Sequence, residues 1–185
     1  MTGTDCNTEP RRRAFVVLTG KSPVTSKDFV LLIARGEKCG GTVSKLGCPG
    51  RYLNKGHEQL QDCAVRAVKE VLINHGKPVI TDGLDPEQLR RIDTGFDAKE
   101  DVWWTGYTYR LSPEQAVQVQ QHVTYLRKDP AYKEAMAKCS AGEVGDAVMQ
   151  LVPSLWWKPV RLLRRCFTYP YEVEVALRVV KQITA

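Results

Sequence analysis

The stretch from Leu60 to Leu72 constrains this chain more than any other. Its apolar residues Leu60, Cys63, Ala64, Ala67, Val68, Val71 and Leu72 recur at the three- and four-residue spacing of one helix face. The spacing predicts a helix from about Glu58 to His75, stopped by Gly76 and Pro78. A Gly-rich segment, Gly36 to Gly56, leads into it and contains the turn Pro49-Gly50. A helix with one apolar stripe must bury that stripe against a second layer, and the rest of the chain has to supply it.

The strands for that layer are legible. Ala14 to Thr19 and Phe29 to Ala34 read as two buried strands joined by a turn at Ser22-Pro23. Val102 to Leu111 is dense in aromatic and β-branched residues and reads as a third. Val79 to Thr81 and Ala147 to Val152 are shorter strand candidates, and Pro86 to Ile92 reads as a helical turn. Ser112-Pro113-Glu114-Gln115 carries a capping box and starts a helix running to about Leu126. Asp129-Pro130 opens another, ending near Ser140. A last helix, Tyr171 to Ile183, places Val173, Ala176, Leu177, Val180 and Ile183 on one face. This order predicts an α/β/α sandwich with a mixed sheet, the first helix on one side and the last on the other. Residues 1–13 are expected to be a flexible N-terminal segment, and 14–185 one domain.

The chain has 185 residues, 43% of them hydrophobic and 26% charged, enough for a single domain with a substantial core. No apolar run is long enough to span a bilayer, so no membrane partner is expected. Net charge is +6 and the pI about 9.0, a balance that favours an anionic partner such as a nucleotide or RNA. None of the six cysteines forms a C-x-x-C pair, which argues against zinc and for free thiols in a reducing, intracellular compartment. Arg11 to Arg13 give the N-terminus a basic cluster of mitochondrial type, interrupted by Asp5 and Glu9, with no apolar stretch of a secretory signal behind it.

The loop and first helix together resemble the box of the Nudix hydrolases, G-x(five)-E-x(seven)-R-E-U-x-E-E-x-G-U, where U is a bulky aliphatic. With Glu58 on the first acid, the box spacing leads to Arg66; Val68 then falls on the aliphatic position and Glu70 on the first member of the acidic pair. Ala67 and Val71 stand where the box has two of its carboxylates. Gly76 lies ten residues after Arg66 where the box places its glycine at seven, which implies a helix nearly one turn longer. Ser112 to Ser140 exceed a minimal domain as a helical insertion.

The resemblance implies a site for divalent cations, Mg²⁺ or Mn²⁺, beside a nucleoside-linked diphosphate, with the box acids as ligands. Glu58 and Glu70 are the metal candidates left on the helix, weakened as a set by Ala67 and Val71. Glu70 and the loop acid Glu143 are the catalytic candidates. Arg66, which the spacing also allows to pair with Glu70, joins Arg35, Trp104 and Tyr107 as candidate ligand contacts, the aromatic pair for stacking on a base. The implied function is binding of a nucleotide or RNA carrying a diphosphate, with hydrolysis weak or absent. The alternatives are an active metal-dependent pyrophosphohydrolase using Glu58, Glu70 and Glu143, and a structural subunit whose protein partner meets the 112–140 insertion; a homodimer is a further partner the resemblance allows.

Overall fold

The structure, a computed structural model, describes residues 10–26, 28–35, 45–54, 58–140, 153–156 and 169–184. Its centre is β1, Arg11–Lys21, whose apolar run Ala14 to Leu18 is fully buried because helices cover both faces of the sheet. The strand takes in Arg11 to Arg13, three residues assigned on sequence grounds to the N-terminal segment. On one side β1 pairs antiparallel with β2 (Asp28–Arg35), Leu18 facing Leu31. On the other it pairs parallel with β8 (Val102–Arg110), from Arg11 facing Val102 to Thr19 facing Arg110.

Between β2 and the first helix the chain runs as β3 (Lys45–Gly47) and β4 (Gly50–Tyr52). The bend at Cys48-Pro49 moves it from one neighbour to the next, since β3 pairs with β2 and β4 with β1. An edge strand, β7 (Arg90–Asp97), closes the far side by pairing with β8. Among the described residues β9 (Pro153–Trp156) adds to β2 to complete a seven-stranded mixed sheet.

Four helices are described: α1 (Leu60–Val71), α2 (Pro113–Leu126), α3 (Pro130–Ser140) and α4 (Pro170–Thr184). α1 and α2 cover one face of the sheet, packing Cys63, Val68, Ala116 and Val119 against Ala14, Val16, Leu18 and Tyr107. α4 covers the other, with Tyr171, Val175 and Ala176 against Phe15, Val17 and Leu32. The expected α/β/α sandwich is the observed one. The capping box forms as the sequence predicts: Gln115 N–H donates to the Ser112 hydroxyl at 3.2 Å, and Ser112 N–H to Gln115 Oε1 at 3.0 Å.

Three expectations need correction. The first helix is shorter than predicted, ending at Val71. Residues to Pro78 form instead a small hairpin, β5 (Ile73–Asn74) and β6 (Lys77–Pro78), turned by His75 at φ 46° and Gly76 at φ 77°. Positive φ at both turn residues matches a two-residue hairpin turn, so Gly76 works there and not as a helix stop. Val79 to Thr81 is not a strand. Pro86–Gln88 is a short 3-10 turn, but Arg90 onward is strand β7, whose charged, half-exposed sequence hid it; edge strands commonly carry such residues. The candidate strand Ala147 to Val152 lies outside the described residues.

Candidate functional site

The site begins where β3 gives way to β4. Pro49 O accepts from Val16 N–H at 2.8 Å, holding the bend against the central strand. Gly50 sits so close to β1 that a Cβ there would come within 2.7 Å of Arg13 Nη2 and 2.8 Å of Phe15 Cβ. With the bend fixed, Arg51 is aimed at α1, where its Nε donates to Glu70 Oε2 at 2.5 Å. Glu70 also meets Arg66, one helical turn back, at 3.2 Å, the pair that the spacing anticipates.

Arg66 is the hub. Its Nε and Nη2 grip Glu58 at 2.8 and 3.0 Å, and Nη2 also donates to Tyr52 O at 2.9 Å. Glu58 in turn accepts from Asn54 N–H at 2.7 Å. Hydrogen bonds from Arg66 are the main reason that the Glu58 carboxyl is held below the usual carboxylate range; partial burial opposes them and Asn54 reinforces them. The two acids at the helix edge are thus linked through a guanidinium, and a second guanidinium caps Glu70. Ala67 and Val71 point inward, 0% and 1% exposed. Cys63, buried one turn before Ala67, has its thiol pushed up by that burial first and by Glu58 second.

No protein-family model matches the sequence, and no curated protein matches it. Solved structures do. The NUDIX domain of Shewanella oneidensis NrtR, in its complex with ADP ribose, superposes with a TM-score of 0.55 at 12% identity over 98% of this chain and 94% of that one. A mutT/nudix family protein from Listeria innocua gives 0.53 at 16% identity, over 96% and 98%. The fold is that of the Nudix hydrolases. Whole Shewanella oneidensis NrtR gives 0.52 at 17% identity over 92% of this chain, which spans only 63% of it. The chain spans 40% of a MutT/nudix family protein from Enterococcus faecalis. Identities this low carry the fold alone.

The Nudix fold raises the question of its divalent cation. Among the described residues no three His, Cys, Asp or Glu side chains come together as metal ligands. The donors the box retains, Glu58 and Glu70, already have arginine partners, whose positive charge competes with a dication for the same carboxylates. The described residues do not fit a Nudix metal centre. Glu143, the candidate loop base, lies outside the described residues.

The candidate ligand contacts are dispersed. Arg35 ends β2 by its backbone, and its side chain lies outside the described part. Tyr107 is 5% exposed, in the core beneath α1. Trp104 faces α4, stacked on Tyr171 with ring centroids 4.9 Å apart and planes 6° from parallel. Its neighbour Trp103 points the other way and is 49% exposed, 5.1 Å from the ring of Phe96 on the adjoining strand. Trp103 lies beside Arg12 in the β1–β8 register, on the face that α1 covers. Trp104 and Tyr107, the candidates for stacking, lie on opposite faces of β8 and each packs against a helix, so strand parity alone does not single out the exposed ring. A run with aromatic residues at both odd and even positions leaves that parity open until the strand is placed.

Proposed function

We propose that this protein binds a ligand containing a nucleoside-linked diphosphate, a nucleotide or an RNA end, and hydrolyses it weakly or not at all. The observation that carries this reading is the pairing of Glu58 with Arg66 and of Glu70 with Arg51 and Arg66, while Ala67 and Val71 are sealed in the core. Carboxylates that serve a guanidinium are poor hosts for Mg²⁺, and without that cation the charge on a diphosphate goes unneutralised during attack. Arginine side chains suit phosphate recognition through paired N–H donors. Among the described residues Nη2 of Arg51 is not drawn into the network, and it is the donor assigned to an incoming phosphate. Trp103, with Phe96 beside it, is the exposed ring assigned to the base. The ADP ribose held by the Nudix domain of Shewanella oneidensis NrtR supports a ligand of this class, as does the pI of about 9.0.

Calorimetric titration with ADP-ribose, alongside product analysis with Mg²⁺ and Mn²⁺, tests the reading. Saturable binding without turnover is expected, weakened at least tenfold in Arg51→Gln and in Trp103→Ala. Metal-dependent release of AMP that disappears in Glu70→Gln would replace this reading with that of an active pyrophosphohydrolase. A 5′-diphosphate RNA in place of ADP-ribose separates the two ligand sources, since polymer binding weakens steeply with salt.

A further inference from the structure

At the opposite end of the sheet from the box, on the face that α4 covers, a cleft of about 510 Å³ opens among Thr19, Arg90, Thr108, Arg110, Gln182 and Ile183. Its placement follows from the register. Thr19 faces Arg110 across the parallel β1–β8 pair, and Thr108 faces Arg90 across β8–β7, so four side chains from three adjoining strands, two of them from β8, enter it from below. The last turns of α4 form its roof with Val179 and Ile183. This is the carboxyl end of both strands of the parallel pair, where open α/β sheets take their ligands. The volume lies within the range of small-molecule sites, about 300–1,000 Å³.

The chemistry of the lining is one-sided. Two guanidinium groups reach it from the floor. Arg110 is steadied by Asp28 at 2.8 Å, and Arg90 by Gln182 Oε1 at 3.0 Å. Each of these contacts engages a single nitrogen of a five-donor fork, so both arginines are oriented and retain N–H groups. Gln182 accepts through its oxygen, which leaves its amide nitrogen as a third donor. The hydroxyls of Thr19 and Thr108 donate to the strand carbonyls of Tyr109 and Val17 and do not compete for those forks. None of the described lining residues is acidic; Asp28 beside Arg110 is already paired, and the carbonyl end of α4 opposes an anion.

We propose that this cleft is a second ligand site, separate from the Nudix box, which takes a small molecule bearing a phosphate or carboxylate group: the anion on Arg90 and Arg110, and an apolar part against Val179 and Ile183. It stands whether or not the box side binds a diphosphate, because the two places share no residue.

The test is a backbone-amide chemical-shift titration of the full chain with inorganic phosphate, pyrophosphate and citrate at fixed ionic strength. Saturable shifts at Thr19, Thr108 and Gln182 are expected, at least tenfold weaker in Arg90→Gln and absent in Ile183→Trp, which fills the cleft. Phosphate or citrate acting alone would identify which oxyanion the fork prefers. Shifts confined to Gly50 and Arg51 would report the box side only and overturn the proposal. So would an absence of saturable shifts at the cleft in a protein whose spectrum is otherwise folded; the arginines would then merely neutralise the end of α4.

Discussion

Arg13 and Glu172 meet at 2.6 Å with side chains 1% and 0% exposed, so a buried ion pair joins the apolar contacts that hold the central strand to the last helix. The other oxygen of Glu172 accepts from Cys48 N–H at 2.9 Å, and Arg13 lies over the Tyr169 ring at 4.6 Å while donating to the Tyr171 hydroxyl at 3.1 Å. The bend that aims Arg51 at the box is therefore tied to α4 through a single carboxylate. Removing one partner strands the other charge away from water. Glu172→Ala should lower the unfolding free energy by about 3–5 kcal/mol in urea denaturation. Arg13→Met combined with Glu172→Leu should cost less than either change alone; equal or greater cost in the double variant would mean that the site depends on shape and not on charge.

Putting the missing acids back should not restore a metal site. Ala67 and Val71 are buried against the fold, so a carboxylate at either place has no water and no cation in reach. Ala67→Glu should destabilise by about 2–4 kcal/mol, in the range of a buried unpaired polar group. Thermal unfolding with and without 10 mM Mg²⁺ is the check, since a cation bound to the folded state raises its melting temperature. A rise in melting temperature with Mg²⁺ in the variant alone would show that the cleft reaches further in than the buried positions imply.

His122 gives stability a pH dependence of known sign. It is 5% exposed in α2, neither ring nitrogen has a partner among the described residues, and burial pulls its pKa below the ordinary 6.5. The folded state keeps the ring neutral while the unfolded chain takes up a proton below 6.5, so stability falls as pH drops through that value and levels off once the folded form protonates. Urea midpoints at pH 7.5 and 5.5 should differ in the natural chain, and the difference should shrink in His122→Leu.

Gly76 should resist substitution for a purely backbone reason. Its φ is 77° and nothing lies within 4 Å of where a Cβ would be, so space is not the constraint. Gly76→Ala should cost about 1 kcal/mol, and Gly76→Asn less, since Asn tolerates the left-handed region. Equal costs for the two would point to lost side-chain room elsewhere in the hairpin.

The layers of this fold were legible because their residues repeat. The stripe Cys63, Ala64, Ala67, Val68 and Val71 marks α1, the apolar run of β1 marks a strand covered on both sides, and Ser112 with Gln115 marks a helix start. What stayed hidden depends on contacts distant in sequence. Nothing local in Arg90-Arg91-Ile92-Asp93 announces a strand; pairing with Thr108 and Tyr107 makes it one. The Arg66–Glu70 pair is readable from helix geometry, whereas Arg51 closing on Glu70 needs the bend at Pro49 to be known. Arg13 read as part of a basic, solvated cluster, and only α4 supplies the buried acid that draws it inward. The cleft around Arg90 and Arg110 joins three strands and a helix whose nearness no single stretch encodes.

The parallel join of β1 to β8 sets the order in which the chain can assemble. Thr108 bonds to Val17 across 91 positions, and among the described residues β8 is the strand that pairs with this edge of β1. Closing so long a loop precedes any reward from it, which slows assembly. During synthesis the sticky segment Ala14 to Leu18 has to wait for more than half of the protein to emerge before its second edge is covered. Polypeptides cut short ahead of Val102 would leave that edge open, and precipitation would be their expected fate.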